Sequence, residues 1–285
     1  MYRQWSYLML FFCLALAACT GQKDDVPATA EATSTIQVAI ATDDFVAGTP
    51  RIPFILYDGS QRVSTAQTVT LTAFDLSQDP PEPGWTGTAT GYNDYEVPYW
   101  VAYPAVPKAC FWGLAAAITL ADGKIAQAQF TIEVKEESQS PVVGDMALPS
   151  ENRTLATEPD ISKLSSGNEP NPAFYQVTVK EALDSERPSV IVFSTPAFCQ
   201  TAICAPVLNS VETVYESLGD EVNFIHLEIY KQFNPELILA DEMTEWQLAT
   251  EPWTYVLDDT GRVAARLGGP VSALGLTAVL EPLLP

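Results

Sequence analysis

Residues 189–204 have the sequence SVIVFSTPAFCQTAIC, in which an apolar run leads directly into two cysteines. The run SVIVF has the β-branched and aromatic composition of a strand that is buried on both faces. The segment 206–220, PVLNSVETVYESLGD, places its apolar side chains on one stripe of a helix that stops at Gly219. The stretch therefore predicts a buried strand, a loop that carries Cys199, and a helix that begins near Cys204.

The flanking sequence continues this alternation of strands and helices. The patterns predict a short helix at 177–186, a strand at 221–230, a helix from Asn234 to about Thr250, a hairpin at 253–267 and a closing helix at 271–284. Strands that alternate with helices in this way predict a mixed sheet covered by helices on both faces.

This order of elements resembles the thioredoxin fold over roughly residues 170–285. A buried strand leads into a cysteine pair at a helix start, and the aromatic Phe198 precedes the first cysteine. Glu251-Pro252 stands just before a strand, where the family has a cis-proline that faces the cysteines, and DDTGRVAARLGG is similar to the family's last hairpin and its glycines. The resemblance implies a thiol–disulfide oxidoreductase without a cofactor, in which Phe198 and Pro252 shape the substrate groove. Its partners would be the thiols and disulfides of exported proteins.

The chemistry of disulfide exchange fits cysteines at this position. A cysteine attacks only as the thiolate, and a helix N-terminus lowers the thiol pKa through its partial positive charge and free N–H groups. A second cysteine nearby then resolves the mixed disulfide. We therefore predict that Cys199 and Cys204 are the catalytic residues.

The spacing of the two cysteines departs from the thioredoxin pattern. Four residues, QTAI, separate them where thioredoxins have two. Residues five apart on one continuous helix lie about 140° around its axis, so Cys199 is expected on a loop ahead of the helix. Two alignments stay open. Counting from the strand makes Cys199 the attacking residue and Cys204 the resolving one, whereas matching CAP to the family's Cys-Gly-Pro makes Cys204 the first cysteine and leaves Val207 in place of the second.

Two other interpretations of the pair compete with redox chemistry. A permanent disulfide would make the domain a non-enzymatic binding scaffold, although so short a loop stabilises a fold less than a long one does. Sco-type copper proteins share the fold and bind metal with two cysteines and a distant histidine. His226 is the sole histidine and lies within a predicted central strand, so it is the weak candidate for a metal site with Cys199 and Cys204.

The first half of the chain has the pattern of an all-β domain. Alternating apolar and polar residues, as in QTVTLTAF, and the turn dipeptides Asp58-Gly59 and Asp122-Gly123 predict short strands and hairpins. The fold class is therefore two domains, with an all-β immunoglobulin-like sandwich at 36–135 followed by the α/β thioredoxin-like fold at 171–285. The Pro-, Ser- and Glu-rich segment 136–170 is predicted to be the linker. The segment 80–100, rich in aromatics, is expected to be a long connection.

The N-terminus has the pattern of a lipoprotein signal peptide at 1–18. Its end, LAAC, resembles the bacterial lipobox, which implies that Cys19 is lipidated and that 19–35 is a flexible tether. The expected location is the cell envelope, with the lipid anchoring the protein to the outer face of the cytoplasmic membrane or to the outer membrane. A formal net charge of −22 argues against nucleic acid as a partner. Cys110, flanked by apolar residues, is expected to be a buried, unreactive thiol.

Overall fold

The computed structural model describes residues 36–284. The predicted signal peptide, the lipidation site Cys19 and the tether lie outside the described residues. Within the described range, no helix is long and apolar enough to cross a membrane.

The elements of residues 36–284 follow one another as a run of strands and then a mixture of strands and helices. The first ten strands are β1 (Ile36–Ile40), β2 (Phe45–Val46), β3 (Ile52–Asp58), β4 (Gln61–Arg62), β5 (Ala66–Asp75), β6 (Pro83–Thr88), β7 (Thr90–Tyr92), β8 (Tyr99–Ala102), β9 (Cys110–Leu120) and β10 (Ile125–Lys135). The later elements are α1 (Val179–Leu183), β11 (Ser189–Ser194), α2 (Cys204–Leu218), β12 (Asn223–Glu228), β13 (Tyr230–Gln232), β14 (Ile238–Leu239), α3 (Asp241–Glu245), β15 (Trp253–Leu257), β16 (Val263–Gly268) and α4 (Ala273–Leu280). Short 3-10 turns at Ile161–Lys163, Pro172–Tyr175 and Glu281–Leu283 complete them.

The first ten strands form two five-stranded sheets that enclose a common apolar core. The inner sheet has the order β1-β3-β8-β7 with β4 added to β3, and the outer sheet has the order β2-β10-β9-β5-β6. The largest fully buried side chains between them are Phe54, Ile52, Leu56, Leu71, Leu114 and Ile118. The assignment of this part to the immunoglobulin type stays a prediction.

The segment expected to be a long connection contains strands instead. Residues 80–100 hold β6, β7 and the start of β8. Prolines are uncommon inside strands, so the segment was expected to be a connection. Pro83, however, is the first residue of β6 at a sheet edge, where a missing N–H is tolerated. The predicted hairpin at Asp122-Gly123 is confirmed, with Gly123 at φ 81° and ten paired positions between β9 and β10.

The C-terminal sheet confirms the predicted thioredoxin-like fold. Its order is β12-β11-β15-β16, with β11 and β12 parallel and β15 antiparallel to both of its neighbours. On β11, Ile191 and Phe193 pack with α1 and α3 on one face, whereas Val190 and Val192 pack with α2 and α4 on the other. The central strand is therefore buried on both sides, as its unbroken apolar run predicted.

The predicted helix from Asn234 to about Thr250 is wrong. The chain forms the short antiparallel pair β13 and β14, and only the five residues of α3 are helical. A proline disfavours helical backbone at the residue before it, which keeps Asn234 out of a helix. Gln247, at φ 52°, then ends the helical backbone soon after α3.

The two groups of sheets, and all described residues from 36 to 284, belong to one compact unit. The Arg51 guanidinium donates to the carbonyl of Gly268 (2.5 Å), the last residue of β16, and to that of Pro270 (2.6 Å) just after it, which ties the sandwich to the C-terminal sheet. Arg266 on β16 forms an ion pair with Asp44 at 2.5 Å and lies 4.3 Å from the centre of the Trp253 ring. The domain boundaries proposed from the sequence remain a prediction.

Candidate redox site

The two cysteines after β11 form a disulfide bond in the structure. Their Cα atoms are 6.0 Å apart, within the range of about 4.4–6.8 Å that a disulfide requires. Cys204 is the first residue of α2 and is completely buried, whereas Cys199 lies half-buried on the loop before the helix. Cys199 is therefore the more accessible of the two cysteines.

The Cys199 sulfur takes the place of a helix cap. Ile203, at the N-cap position of α2, provides no side-chain hydrogen bond to the free N–H groups of the first turn. The backbone N–H of Cys204 donates to the Cys199 sulfur at 3.3 Å instead, and the Thr201 hydroxyl lies 3.3 Å from the same sulfur. An N–H at the start of a 15-residue helix stabilises negative charge, so these contacts favour a thiolate at Cys199 once the disulfide is opened.

One predicted groove residue, Phe198, lies in the disulfide loop (residues 195–203), and the other, Pro252, lies near the start of that loop. Phe193 pairs with Trp253, so the residue before Trp253 lies beside the end of β11, where the disulfide loop begins. That residue, Pro252, follows a cis peptide bond and is buried. Phe198 is 37% exposed, and its ring lies 6.1 Å from Tyr230 and 5.7 Å from Phe233. The four predicted site residues therefore lie around one sheet edge.

A carboxylate that the sequence analysis did not select lies next to the sulfurs. Glu251 precedes the cis-proline, and its carboxylate and the sulfurs of Cys199 and Cys204 all lie within 4.8 Å of one another. The side chain is half-buried, and burial raises its pKa. Its proximity to the proline in the Glu251-Pro252 pair was the one signal in the sequence that could have identified it.

The loop between the cysteines packs against the inner sheet of the sandwich, on the face that points away from the sandwich core. Ile203 is 1% exposed and packs in a pocket, here called the anchor pocket, formed by Ile55, Val97, Tyr99 and Val101. Cys199 packs against the same cluster. With two residues more than the thioredoxin spacing, the loop extends far enough from the sheet for Ile203 to enter this pocket. Ala202, at φ 57°, adopts the left-handed conformation that directs the chain there.

Residues of the predicted linker hold the start of the same loop. The Ser166 hydroxyl accepts a hydrogen bond from the Ala197 backbone N–H at 3.1 Å and lies 3.3 Å from the Thr195 hydroxyl. The Ser166 backbone N–H donates to the buried Glu228 carboxylate at 2.8 Å, and burial raises the pKa of Glu228. Through Ser166 the segment therefore contacts the start of the loop that carries Cys199.

His226 occupies the interior of the C-terminal sheet. It is 2% exposed, its Nδ1 lies 2.6 Å from the Tyr175 hydroxyl, and its Nε2 lies 3.0 Å from the Ser194 hydroxyl and 3.1 Å from the Ser194 carbonyl. Burial lowers its pKa to about 4, so the ring is neutral at physiological pH. Both nitrogens are hydrogen-bonded within the core, as expected for a structural histidine.

A metal site of Cys199, Cys204 and His226 does not form in this structure. Within residues 36–284, the group of possible ligands that contains the two cysteines is completed by Glu251 and does not include His226. The sulfurs are joined to each other, so neither is a free thiolate. Thiolates are the ligands that soft metals require.

Cys110 is half-buried, more accessible than the buried position expected for it. Its thiol donates to the Asp75 carboxylate at 3.3 Å, and burial together with this carboxylate raises the pKa of the thiol. A thiol with a raised pKa is a poor nucleophile at neutral pH, which agrees with the unreactive role expected for it.

Comparison with known proteins gives partial structural likenesses. No protein-family model matches the chain, and no curated protein matches it. Among solved structures, CopC from Methylosinus trichosporium OB3b is 15% identical, with 34% of this chain and 88% of that chain covered and a TM-score of 0.25. StoA from Bacillus subtilis is 18% identical over 34% of this chain and 84% of that chain, with a TM-score of 0.29. A thiol:disulfide interchange protein of the thioredoxin family from Chlorobium tepidum TLS is 11% identical over 52% and 97%, with a TM-score of 0.33. At these identities and TM-scores, the fold assignment depends on the strand order and register given above.

Proposed function

We propose that this protein is a thiol–disulfide oxidoreductase that acts through its C-x4-C pair, Cys199 and Cys204. The observation that carries the proposal is the disulfide itself, placed between a buried strand and the N-terminus of α2. A helix start stabilises the thiolate that exchange requires, and the second cysteine is close enough to resolve a mixed disulfide.

The difference in exposure supports Cys199 as the attacking residue and Cys204 as the resolving one. Cys199 is half-buried and its sulfur accepts the Cys204 N–H, whereas Cys204 is 0% exposed. In the reduced protein, the Cys199 thiolate attacks one sulfur of a partner disulfide, and the other partner sulfur leaves with the bonding electron pair. Cys204 then attacks the Cys199 sulfur, which releases the second partner thiolate and restores the disulfide. Two electrons thereby pass from the cysteine pair to the partner, and the reverse sequence oxidises a partner dithiol.

The proposed partners are the thiols and disulfides of exported proteins, which would meet the site on the side of the half-exposed Phe198. Its ring, with Tyr230 and Phe233, forms an aromatic surface beside Cys199, and an aromatic surface suits the apolar side chains of an incompletely folded chain. The proposed location is the cell envelope, with the protein held by lipid on Cys19. Intact-mass measurement of the mature chain tests this, since the proposal requires a diacylglycerol adduct that Cys19→Ser lacks.

The reduction potential of the Cys199–Cys204 pair tests the proposed function. The purified full chain is equilibrated with reduced and oxidised glutathione, its thiols are alkylated, and the alkylated cysteines are counted by mass. We expect a potential above about −300 mV and rapid exchange with glutathione. Cys204→Ser is expected to trap a mixed disulfide at Cys199, and Cys110→Ser to behave as the wild type. A pair that stays oxidised throughout the titration would make the disulfide a permanent structural bond and the protein a scaffold.

A further inference from the structure

Disulfide exchange at this site requires a proton acceptor, and the cysteine that needs it is the buried one. Cys204 has no exposed surface, so water does not reach its thiol directly. A buried thiol ionises poorly because the charged form loses its hydration. The resolving step needs a thiolate at Cys204, and a base within reach would provide one.

Two buried side chains near the loop are poorly suited to this role. His226 has both ring nitrogens engaged by Tyr175 and Ser194, and its pKa is lowered to about 4 by burial. The Glu228 carboxylate already accepts the Ser166 backbone N–H. It is also not among the acidic groups that lie with the two sulfurs in the part of the chain that the structure describes.

Glu251 has the geometry that these side chains lack. Its carboxylate lies within 4.8 Å of both sulfurs, a distance that one bridging water or a small rotation of the side chain closes. No ion pair holds this carboxylate among residues 36–284.

We propose that Glu251 is the catalytic proton acceptor and donor of the exchange reaction, which deepens and rests on the proposed function. In the mixed disulfide between Cys199 and a partner, the Glu251 carboxylate takes the proton of the Cys204 thiol. The Cys204 sulfur then attacks the Cys199 sulfur, the bond from Cys199 to the partner breaks, and the partner sulfur leaves with the electron pair. The Glu251 carboxyl gives its proton to that leaving thiolate, so two electrons and the proton reach the partner.

The surroundings of Glu251 favour the protonated form of its carboxyl more than water does. Burial raises its pKa above the usual range of glutamate, which makes it a stronger base. Tyr230 on β13 is a neighbouring phenol, and burial, followed by the charges of Glu251 and Glu228, raises its pKa. From the sandwich, the Asp43 carboxylate accepts a hydrogen bond from Thr250, the residue before Glu251. These groups are neutral or negative, so they favour the protonated carboxyl rather than a fixed carboxylate.

The test measures how long the mixed disulfide survives. The reduced full chain is mixed with oxidised glutathione, quenched with acid at intervals, and the glutathione adduct at Cys199 is followed by mass spectrometry from pH 5 to pH 9. In the wild type, resolution is expected to accelerate as pH rises through the pKa of Glu251. In Glu251→Gln this acceleration with pH is expected to disappear, and the glutathione adduct at pH 7 should persist about 100-fold longer. The rate of resolution recovers only at high pH, where the Cys204 thiol ionises without a base.

Two further variants separate catalysis from folding and from charge. Glu251→Asp keeps the carboxyl and is expected to recover part of the rate of resolution and its dependence on pH. Glu236→Gln removes one exposed glutamate and is expected to match the wild type. Wild-type resolution in Glu251→Gln, with an unchanged pH profile, would overturn the role of Glu251 and leave the proposed function standing. A wild-type chain whose Cys199 and Cys204 stay reduced in oxidised glutathione, together with a Cys204→Ser chain that forms no glutathione adduct, would overturn both.

Discussion

The two sheets of the sandwich differ in how many of their faces are covered by other parts of the protein. In the inner sheet, all five residues of Ile52–Leu56 on β3 are buried, because Ile52, Phe54 and Leu56 enter the sandwich core while Ile55 enters the anchor pocket. In the outer sheet, β10 alternates between exposed and buried positions, with Ile125 68% exposed and the next residue, Ala126, buried. The inner sheet is covered on both sides, and the outer sheet on one.

The difference shows what covers the inner sheet on its second side. A strand with consecutive buried apolar residues requires a partner on each face. For β3 and β8 the second partner is the disulfide loop, which inserts Ile203 between Ile55 and Val101. The sandwich is therefore part of the wall around the proposed redox site, and its inner sheet contributes directly to the position of the cysteines.

Truncating one isoleucine in each sheet gives the largest expected contrast. Ile55→Ala creates a cavity between the sandwich and the disulfide loop, so we expect the free energy of unfolding to fall by about 4 kcal/mol. Ile125→Ala removes an exposed side chain from the outer sheet, and the expected loss is at most about 0.5 kcal/mol. Urea unfolding at pH 7 measures both, and equal losses would mean that the second face of the inner sheet is not a core.

Much of the C-terminal fold followed from local sequence patterns. The unbroken apolar run SVIVF predicted the doubly covered strand β11, and the stripe after Cys204 together with Gly219 predicted α2. The turn at Asp122-Gly123 predicted the β9–β10 hairpin in the same way. These features succeed because period, caps and turn residues act over a few positions.

The features that define the site depend on contacts between distant segments, which local patterns do not encode. Ile203 is a single apolar residue in a loop, and nothing in its neighbours shows that the anchor pocket receives it. Glu251 reaches the sulfurs because the pairing of Phe193 with Trp253 brings two loops to one sheet edge. The apolar run in β3 was visible in the sequence, but its second partner lies about 150 positions later in the chain, at Ile203.

The ion pair between Arg266 and Asp44, at the edge of the outer sheet, is expected to contribute less to the free energy of unfolding than Ile55 does, and its contribution depends on pH. Arg266 and Asp44 are 8% and 13% exposed, and the pair joins the edge beside β2 to the C-terminal sheet. Burial alone raises the pKa of Asp44, but hydrogen bonds from Ser138 and Arg266 outweigh it and hold the pKa below the ordinary value of 3.8. The stabilisation is therefore present above pH 3.8 and is lost as pH falls through the pKa of the folded state.

Asp44→Asn is expected to lower the free energy of unfolding by about 2 kcal/mol at pH 7, between the values for exposed and fully buried pairs. The difference from the wild type should shrink as pH falls below 3.8. The matched control is Asp122→Asn, since Asp122 pairs with Lys124 at 2.7 Å in the exposed β9–β10 turn of the outer sheet. Urea unfolding at pH 7 and pH 3 measures both variants, and a loss of equal size at the two pH values would contradict the role of this carboxylate charge.

The smallest expected effect tests whether the inner sheet influences the chemistry as well as the stability. Ile203→Ala empties the anchor pocket and frees the loop that holds the Cys204 N–H against the Cys199 sulfur. The closed disulfide loop needs this conformation more than an open dithiol does, so the variant is expected to destabilise the oxidised form and to raise the reduction potential by about 30 mV, equivalent to about 1.4 kcal/mol. Leu274→Ala, at a position 76% exposed on α4, is the control and should leave the potential unchanged. If Ile203→Ala lowers the free energy of unfolding without moving the potential, the pocket holds the loop equally in both redox states, and the sandwich stabilises the site without tuning it.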